Sequence, residues 1–261
     1  MKRSLLVIVV LAAQTIAMPI AHAGDWESLK IFSGFDYSSG KYGEATDTAI
    51  FYVPVSVKYE TGPWGFRATT SYIHIHGPAN VIGGEAGGFS TGVPSTGSVS
   101  RSGPGDILLG VTYSLESLWR KALFIDFTGK VKVPTASASK GLGTGKTDFT
   151  AQIDIAKTWG RFTPFATLAY RFMGTPRAYV LRDAWNASLG LQYTASHVVS
   201  TGVSFDYRQS VSPTGTDPRE LFGYVAVALG EKWTLDFYGV AGLSDGSPDA
   251  GGGIQITFRA H

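Results

Sequence analysis

Apolar and polar residues alternate with a period of two along most of this chain. The stretch 121–133, KALFIDFTGKVKV, shows the pattern: Leu123 and Ile125 fall on one face, and Asp126 and Lys130 fall on the other. Successive side chains of a β-strand point to opposite sides of a sheet, whereas a helix repeats about every 3.6 residues. The alternation therefore predicts β-strands rather than helices.

The same alternation predicts twelve strands, separated by intervals that are in turn long and short. The predicted strands are residues 28–38, 48–60, 64–76, 105–118, 121–133, 147–159, 161–173, 183–196, 197–211, 219–230, 231–242 and 250–259. The longer connections are rich in Gly, Ser, Thr and Pro, and they are residues 39–47, 77–104, 134–146, 174–182, 212–218 and 243–249. Short turns at one end and long loops at the other are the plan of an outer-membrane barrel.

We therefore predict an all-β protein, a transmembrane antiparallel up-and-down β-barrel of about 12 strands with short periplasmic turns and longer extracellular loops. Roughly 9–11 tilted strand residues cross a bilayer core, and the predicted strands are long enough for this. A soluble β-sandwich is the competing fold, but its strands are usually shorter, at about 5–6 residues. A closed barrel also leaves no unpaired sheet edge, which lipid does not tolerate.

The N-terminus predicts export. Lys2 and Arg3 precede a short apolar run and an Ala-His-Ala sequence at residues 21–23, a pattern typical of a signal peptide. We interpret residues 1–23 as that peptide, cleaved near Ala23, and residues 24–261 as the outer-membrane barrel. The expected location is the outer membrane of a Gram-negative bacterium, in which the barrel is integral.

Composition agrees with a turn-rich β protein, since the chain has 33 glycines, 15 phenylalanines and 12 tyrosines. Without Lys2 and Arg3, the 22 basic residues become 20 and balance the 20 acidic ones, which argues against a nucleic-acid binder. The sequence has no cysteine, so disulfides, thiolate metal sites and cysteine nucleophiles are excluded.

Tryptophan positions favour a membrane protein. Five of the six tryptophans, at positions 26, 64, 119, 159 and 233, fall at the proposed periplasmic end, and Trp185 falls near the other end. Indole rings prefer the membrane–water boundary, so this distribution predicts an aromatic girdle. The alternative is that tryptophans simply occur where strands meet turns.

If the apolar faces of the strands contact lipid, the opposite faces line the lumen. The predicted pore-lining residues are Lys58, Arg67, Asp106, Asp126, Lys130, Lys132, Asp148, Asp154, Arg171, Asp206, Arg208 and Asp236. Lys30, Asp36 and Arg259 share this parity, which gives eight basic and seven acidic side chains. Mixed signs do not indicate a strongly ion-selective porin. The charges can also pair with one another and fill a narrow barrel, and the two interpretations are compatible.

The longest predicted loop is residues 77–104, with 28 residues, eight glycines, and Glu85 and Arg101 as its only charges. A loop of this length can fold into the barrel mouth as a constriction. A flexible surface loop is the other interpretation.

The stretch KGLGTGKTDF, residues 140–149, ends like a phosphate-binding loop. Such a loop needs a glycine five positions before Gly145, and that position is Lys140. Ile153 and Ile155 then continue the alternation of a strand, where a phosphate-binding loop would open a helix. We therefore reject nucleotide binding and expect the glycines to bend the chain at the extracellular rim.

An outer-membrane enzyme is an alternative function, because barrel hydrolases and proteases use a histidine base. His74 and His76 lie on the predicted lipid-facing side of one strand, whereas Ser71 lies on the other side. Two histidines at this spacing could hold a metal, but no third ligand is placed by the spacing. We therefore predict no catalytic residue, no metal site and no cofactor.

Several short motifs together resemble one family, the outer-membrane channels named after the meta-cleavage pathway of phenol degradation. The motifs are Gly105-Asp106-Ile107-x-x-Gly110-x-x-Tyr113, Lys132-x-Pro134-Thr135 with Gly141 to Gly145 and Asp148-Phe149, Tyr170-Arg171-Phe172, and residues 242–249. The resemblance covers most of the chain from about Gly105 to Arg259. One departure is the C-terminus, where Phe258 is followed by three more residues instead of ending the last strand.

The resemblance implies a monomeric twelve-stranded barrel that passes small, often hydrophobic or aromatic molecules by passive diffusion. We therefore predict an uptake channel whose partners are outer-membrane lipid and small-molecule solutes, with no nucleic acid. The alternatives are an outer-membrane barrel hydrolase and a closed structural barrel.

Overall fold

The computed structural model describes residues 27–260, apart from residues 85, 86, 94, 96, 116, 117, 119 and 120. The predicted signal peptide, Trp26, Trp119 and His261 lie outside the described residues. The strands are β1 (Glu27–Gly40), β2 (Thr48–Thr61), β3 (Trp64–Pro78), β4 (Val81–Gly84), β5 (Gly87–Ser90), β6 (Ser98–Pro104), β7 (Ile107–Ser114), β8 (Leu123–Val133), β9 (Asp148–Lys157), β10 (Phe162–Phe172), β11 (Ala184–Thr194), β12 (Val199–Arg208), β13 (Arg219–Leu229), β14 (Trp233–Gly242) and β15 (Ala250–Arg259). A short 3₁₀ turn lies at Ala138–Lys140. Within the described part of the chain, no helix is long and apolar enough to cross a membrane.

The main sheet closes on itself. Every neighbouring pair is antiparallel, and β15 returns to pair with β1 from Lys30↔Arg259 to Ser39↔Ala250. Strand β3 pairs with β2 on one side and with both β6 and β7 on the other, so β6 and β7 together occupy one position in the wall. The result is a closed barrel of twelve strand positions, which confirms the predicted fold class.

The outer face of the barrel is apolar and the inner face is buried. On β12, Val203 and Phe205 are 47% and 44% exposed, whereas Ser204 between them is 2% exposed. Water would not favour such an apolar exterior around a whole barrel, but the hydrocarbon core of a bilayer does. The chain is therefore an integral outer-membrane barrel.

The described tryptophans lie at the strand ends, as predicted. Trp64 and Trp233 begin β3 and β14, Trp159 lies in the turn after β9, and all three are exposed at the periplasmic end. Trp185 is exposed near the extracellular end of β11. The larger group at the periplasmic end marks that membrane boundary.

The prediction of an irregular segment over residues 77–104 was wrong. It contains β4, β5 and β6, and β6 pairs with β3 from Tyr72↔Pro104 to Pro78↔Ser98. The sequence of β6, SVSRSGP, lacks an apolar outer face, so its pattern carries no strand signal. Strands need an apolar outer face only where they contact lipid. Strand β6 extends beyond the membrane at the loop end of the barrel, so its outer face can be polar.

A β-bulge separates β6 from β7. Thr69 pairs with Leu108 and Tyr72 with Pro104, so two residues of β3 lie opposite the three residues 105–107. A bulge locally disrupts the ladder and re-aims a side chain. Here that side chain is Asp106, which turns inward to accept a hydrogen bond from the Ala136 backbone N–H at 2.9 Å.

The lipid-facing assignment predicts the effect of a charge on the outer wall. Val203→Arg, near the middle of β12, should destabilise the folded barrel by about 2–4 kcal/mol, since an arginine at the bilayer midplane costs roughly that much. Unfolding in urea from phospholipid vesicles measures the change, with Val203→Ala as the apolar control. An arginine variant as stable as the alanine variant would contradict a lipid contact at this position.

Candidate functional site

All twelve predicted pore-lining side chains lie on the inner face of the barrel. Eleven of them are in strands, and Asp106 is in the bulge between β6 and β7. They include deeply buried groups such as Lys132, Asp148 and Asp236, which are 6%, 1% and 0% exposed. That these side chains line a conducting pore stays a prediction.

The sequence analysis missed two acids of the same face. Glu60 is the last inward-facing residue of β2, and Glu220 is the first of β13. Added to the fifteen charges predicted from parity, they give eight bases and nine acids. Each of them alternates with the outward-facing residues of its strand, so the two-residue period was sufficient to predict that both face inward.

A network of ion pairs joins the wall near the extracellular end. The Lys132 Nζ lies 2.9 Å from Asp148 and 3.3 Å from Asp106, and Arg171 lies 3.5 Å from the same Asp148 carboxylate. Asp148 also accepts the Gly174 backbone N–H at 3.0 Å. These charges therefore pair with one another, which links β8, β9 and β10 to the bulge.

The opposite wall carries aromatic rings. The Phe222 ring centroid lies 6.0 Å from that of Tyr224 and 5.8 Å from that of Tyr238. Both tyrosine hydroxyls are anchored, since Tyr224 donates to Gln192 and Tyr238 donates to Asp36, each at 2.7 Å. We call Phe222, Tyr224 and Tyr238 the aromatic wall. Its rings lie in fixed positions inside the barrel.

Glycines hold these rings flat against the wall. Gly202 lies directly opposite Tyr224 in the ladder, and Gly253 lies opposite Tyr238. A Cβ at either glycine would collide with the ring of its partner. Because each ring covers the bare backbone of the neighbouring strand, it does not project across the lumen. Sequence reasoning missed this wall because Leu221 and the other outward residues of β13 are also apolar.

The β4–β5 hairpin folds into the barrel mouth, which settles the question left open by the sequence. Val81 is fully buried in an apolar cluster with Ile50, Ile73 and Ile75, which face inward from β2 and β3. A Cβ at Gly88 would lie only 2.7 Å from the Ile50 Cδ1. The hairpin therefore packs against the inner surface of the wall.

The hairpin reaches across the mouth to a second apolar cluster. Phe89 packs against the cluster of Met173, Leu181, Ala184 and Val211, which belongs to the β10–β13 side of the barrel. The Arg101 guanidinium on β6 donates to the carbonyls of Pro78, at 3.1 Å, and Val81. Arg101 thus fastens the base of the hairpin to the wall.

A cavity of about 480 Å³ lies between the hairpin and the wall. Its lining is mixed, with polar side chains such as Arg171 and Asn186 next to the apolar Phe89 and Val211. Tyr42 lines it as well, and burial raises the pKa of this phenol, which donates to Ser38 at 2.8 Å. The mouth therefore contains a chamber with both apolar and hydrogen-bonding surface.

The glycine-rich stretch that resembles a phosphate-binding loop also covers the mouth. Gly141 and Gly145 both have φ of 66°, as expected for bends in the left-handed region, and the chain continues into β9. Leu142 is buried in the cluster with Ile73, and Thr144 accepts a hydrogen bond from Lys132 at 2.8 Å. This loop is part of the mouth structure.

His74 and His76 do not face the lumen. His74 and His76 point outward from β3, and His76 contacts the Ser100 hydroxyl at 2.7 Å. Ser71 is buried on the inner face, so it and the histidines lie on opposite sides of the sheet. Among the described residues, no three His, Asp or Glu side chains are grouped as metal ligands.

Comparison with known proteins identifies the family. The family model described as the MetA pathway of phenol degradation matches residues 33–260. The chain belongs to this family. The match confirms the resemblance seen in the sequence motifs, and it extends over the first strands as well. No curated protein sequence matches the chain significantly.

Solved structures share the fold. An outer membrane channel from Pseudomonas putida F1 superposes with a TM-score of 0.63 at 11% identity, covering 92% of this chain and 100% of that one. The β domain of the Bordetella autotransporter BrkA gives a TM-score of 0.50 at 13% identity, covering 90% of this chain and 99% of that one. At such identities, these likenesses establish the outer-membrane barrel fold of this chain.

The anchoring of the hairpin predicts the effect of losing Arg101. Arg101→Met keeps most of the side-chain length but removes the hydrogen bonds to Pro78, the last residue of β3, and to Val81 in the hairpin. The hairpin should then leave the mouth more often, so proteolysis between residues 81 and 90 should become faster in the folded barrel. Arg177→Met, in an exposed loop, is the control. Equal protection of the hairpin in both variants would show that Arg101 does not hold it.

The loop between β12 and β13 should be sensitive to acid. Burial alone would raise the pKa of Asp217. The carboxylate accepts hydrogen bonds from the Ser210 N–H at 2.8 Å and from the Tyr207 hydroxyl at 2.7 Å. These bonds and the nearby Arg182 guanidinium hold the pKa of Asp217 below its ordinary value. The stabilisation is therefore present above the ordinary pKa of 3.8 and is lost as the pH falls through the lower folded value. Amide hydrogen exchange of residues 209–218, corrected for its intrinsic pH dependence, should show this loss. Asp217→Asn should abolish the pH dependence, and a variant that keeps it would refute the assignment.

Proposed function

We propose that the protein is an outer-membrane channel for the passive uptake of small, hydrophobic or aromatic molecules. The observation that carries this proposal is the aromatic wall inside a closed barrel, where the rings of Tyr224 and Tyr238 lie flat over Gly202 and Gly253. Phe222, Tyr224 and Tyr238 are 1%, 3% and 8% exposed, so an aromatic solute would reach these rings by displacing the side chains packed against them. Aromatic groups attract one another in offset or edge-on arrangements.

The mouth cavity suits the first contact with such a solute. A cavity of about 150 Å³ is large enough to bind benzene, and the chamber under the hairpin is about 480 Å³. Phe89 and Val211 supply apolar contact, and Arg171 and Asn186 supply hydrogen bonds. Ligand sites usually combine an apolar surface with a few polar groups in this way.

Below the mouth, a solute would pass between two unlike surfaces. The aromatic wall lies on β13 and β14, and the network of Lys132, Asp148 and Arg171 lies on β8 to β10. Because the charges of this network are largely paired, they offer hydrogen bonds without a strong net field. The twelve predicted pore-lining residues would form this pathway, and a single barrel would suffice as a monomer. The family's association with phenol degradation also supports an aromatic solute.

Solute entry into liposomes that carry the refolded protein tests the proposal. Small aromatic solutes should enter faster than sugars of similar size, with little saturation. Gly202→Ala should slow aromatic entry severalfold, because the new Cβ would collide with the Tyr224 ring and push it into the lumen. Gly239→Ala, whose Cβ would point outward and meet only ordinary contacts, is the control.

Two results would contradict the channel. Entry no faster than into empty liposomes, with a folded barrel confirmed by its heat-shifted gel mobility, would mean a closed lumen. Equal entry of aromatic solutes and sugars, unchanged in the Gly202→Ala variant, would mean that the aromatic wall plays no part.

A further inference from the structure

A ring of charged side chains surrounds the lumen near its periplasmic end. Each member lies three residues from the periplasmic end of its own strand. The ring, which we call the periplasmic charge belt, consists of Lys30 on β1, Lys58 on β2, Arg67 on β3, Asp126 on β8, Asp154 on β9 and Asp236 on β14. The bases occupy three adjacent strands, and the acids lie on the walls to either side.

The basic part of the belt is largely compensated. Glu60 lies 2.5 Å from the Lys30 Nζ and 2.7 Å from the Lys58 Nζ, so this one carboxylate forms ion pairs with two bases. The Arg67 guanidinium lies 4.5 Å from the centroid of the Phe32 ring and is directed onto that ring. The positive charges are thus held against the wall.

The acidic part of the belt is compensated only at longer range, since Lys58 attracts both Asp126 and Asp154, and Lys130 attracts Asp154. Asp126 and Asp154 are directly opposite each other in the β8–β9 ladder, and they are 6% and 4% exposed. Cβ atoms of directly opposed residues are about 4.5–5.5 Å apart, so two carboxylates here repel each other. Asp154 accepts hydrogen bonds from Gln152 and Thr167. Neither acid forms an ion pair with any residue that the structure describes.

Two of these acids have carboxylate oxygens without a hydrogen-bond partner among the described residues. In the described part of the chain, the Asp126 Oδ1 has no hydrogen-bond partner. Both oxygens of Asp236 are likewise without a partner there, although the side chain is completely buried. Asp236 is on β14, five strand positions from Asp154 in the order of the sheet, so the two acids face the lumen from nearly opposite walls.

We propose that Asp126, Asp154 and Asp236 form a cation-binding constriction near the periplasmic exit. An unpaired buried carboxylate is costly, and either a proton on the acid or a cation between the walls relieves that cost. The three acids are not grouped as ligands of one tightly held metal, so the cation keeps part of its hydration shell and binds loosely. Conduction requires such weak, multiple contacts. The resulting cation preference of the current rests on the proposed open lumen, whereas the binding itself does not.

Ion selectivity tests the constriction in the conducting protein. The reversal potential across a planar bilayer with a KCl gradient should give a K⁺/Cl⁻ permeability ratio above one for the full chain. The variant with Asp126→Asn and Asp154→Asn should lower this ratio severalfold, and Asp236→Asn should lower it as well. Asp245→Asn removes the same charge from an exposed extracellular loop and should leave the ratio unchanged.

Binding of Mn²⁺ provides a readout that needs no current. The refolded protein in detergent should reduce the electron paramagnetic resonance signal of free Mn²⁺, and the variant with all three acids changed to asparagine should reduce it less. If the protein carries no current but this difference persists, the channel fails and the cation site stands. If the triple variant folds, as heat-shifted gels report, and keeps both the wild-type permeability ratio and the wild-type Mn²⁺ binding, the proposal is overturned.

Discussion

Lipid offers no hydrogen-bonding partner to a backbone amide, so strands can cross a bilayer only if every strand edge is paired. In this protein the pairing of β15 with β1 meets that requirement, because it joins the last strand to the first over ten residue pairs. Once the sheet is closed, each strand has one face toward lipid and one toward the lumen. The outer face must then be apolar, and the inner face is free to hold charge.

The inner face uses that freedom in two different ways. On β8 to β10 the acids and bases pair with one another, and on β13 and β14 aromatic rings cover glycine backbone. Both solutions keep side chains close to the wall. Long side chains that are paired laterally, and rings that lie flat, occupy less of the cross-section than unpaired side chains that extend toward the axis. A closed barrel can therefore hold large residues on its inner face.

The sequence predicted the features that depend on contrast between the two faces of a strand. Twelve strands and the inward charges followed from the alternation, because lipid and lumen demand different residues. Strand β6 could not be predicted, since serine faces outward where the wall has left the lipid. The ring positions of Tyr224 and Tyr238 could not be predicted either, because apolar residues occupy both faces of β13.

Contacts between distant parts of the chain could not be predicted from the sequence either. Asp126 and Asp154 are 28 residues apart, and only the ladder register places them side by side. The same holds for the pair between Lys30 and Glu60. A charge count of the inner face gave nearly equal numbers of acids and bases, whereas the register shows which of them are compensated. Charge balance along a sequence therefore says little about the local field in a lumen.

The mouth hairpin is held less firmly than the wall around it. The wall strands are joined by continuous backbone ladders on both sides, but β4 and β5 pair only with each other. Packing of Val81 and Phe89 and the hydrogen bonds from Arg101 provide the attachment. Local opening in proteins concentrates where such attachments are few. The hairpin is therefore the element that can move aside while the barrel stays closed.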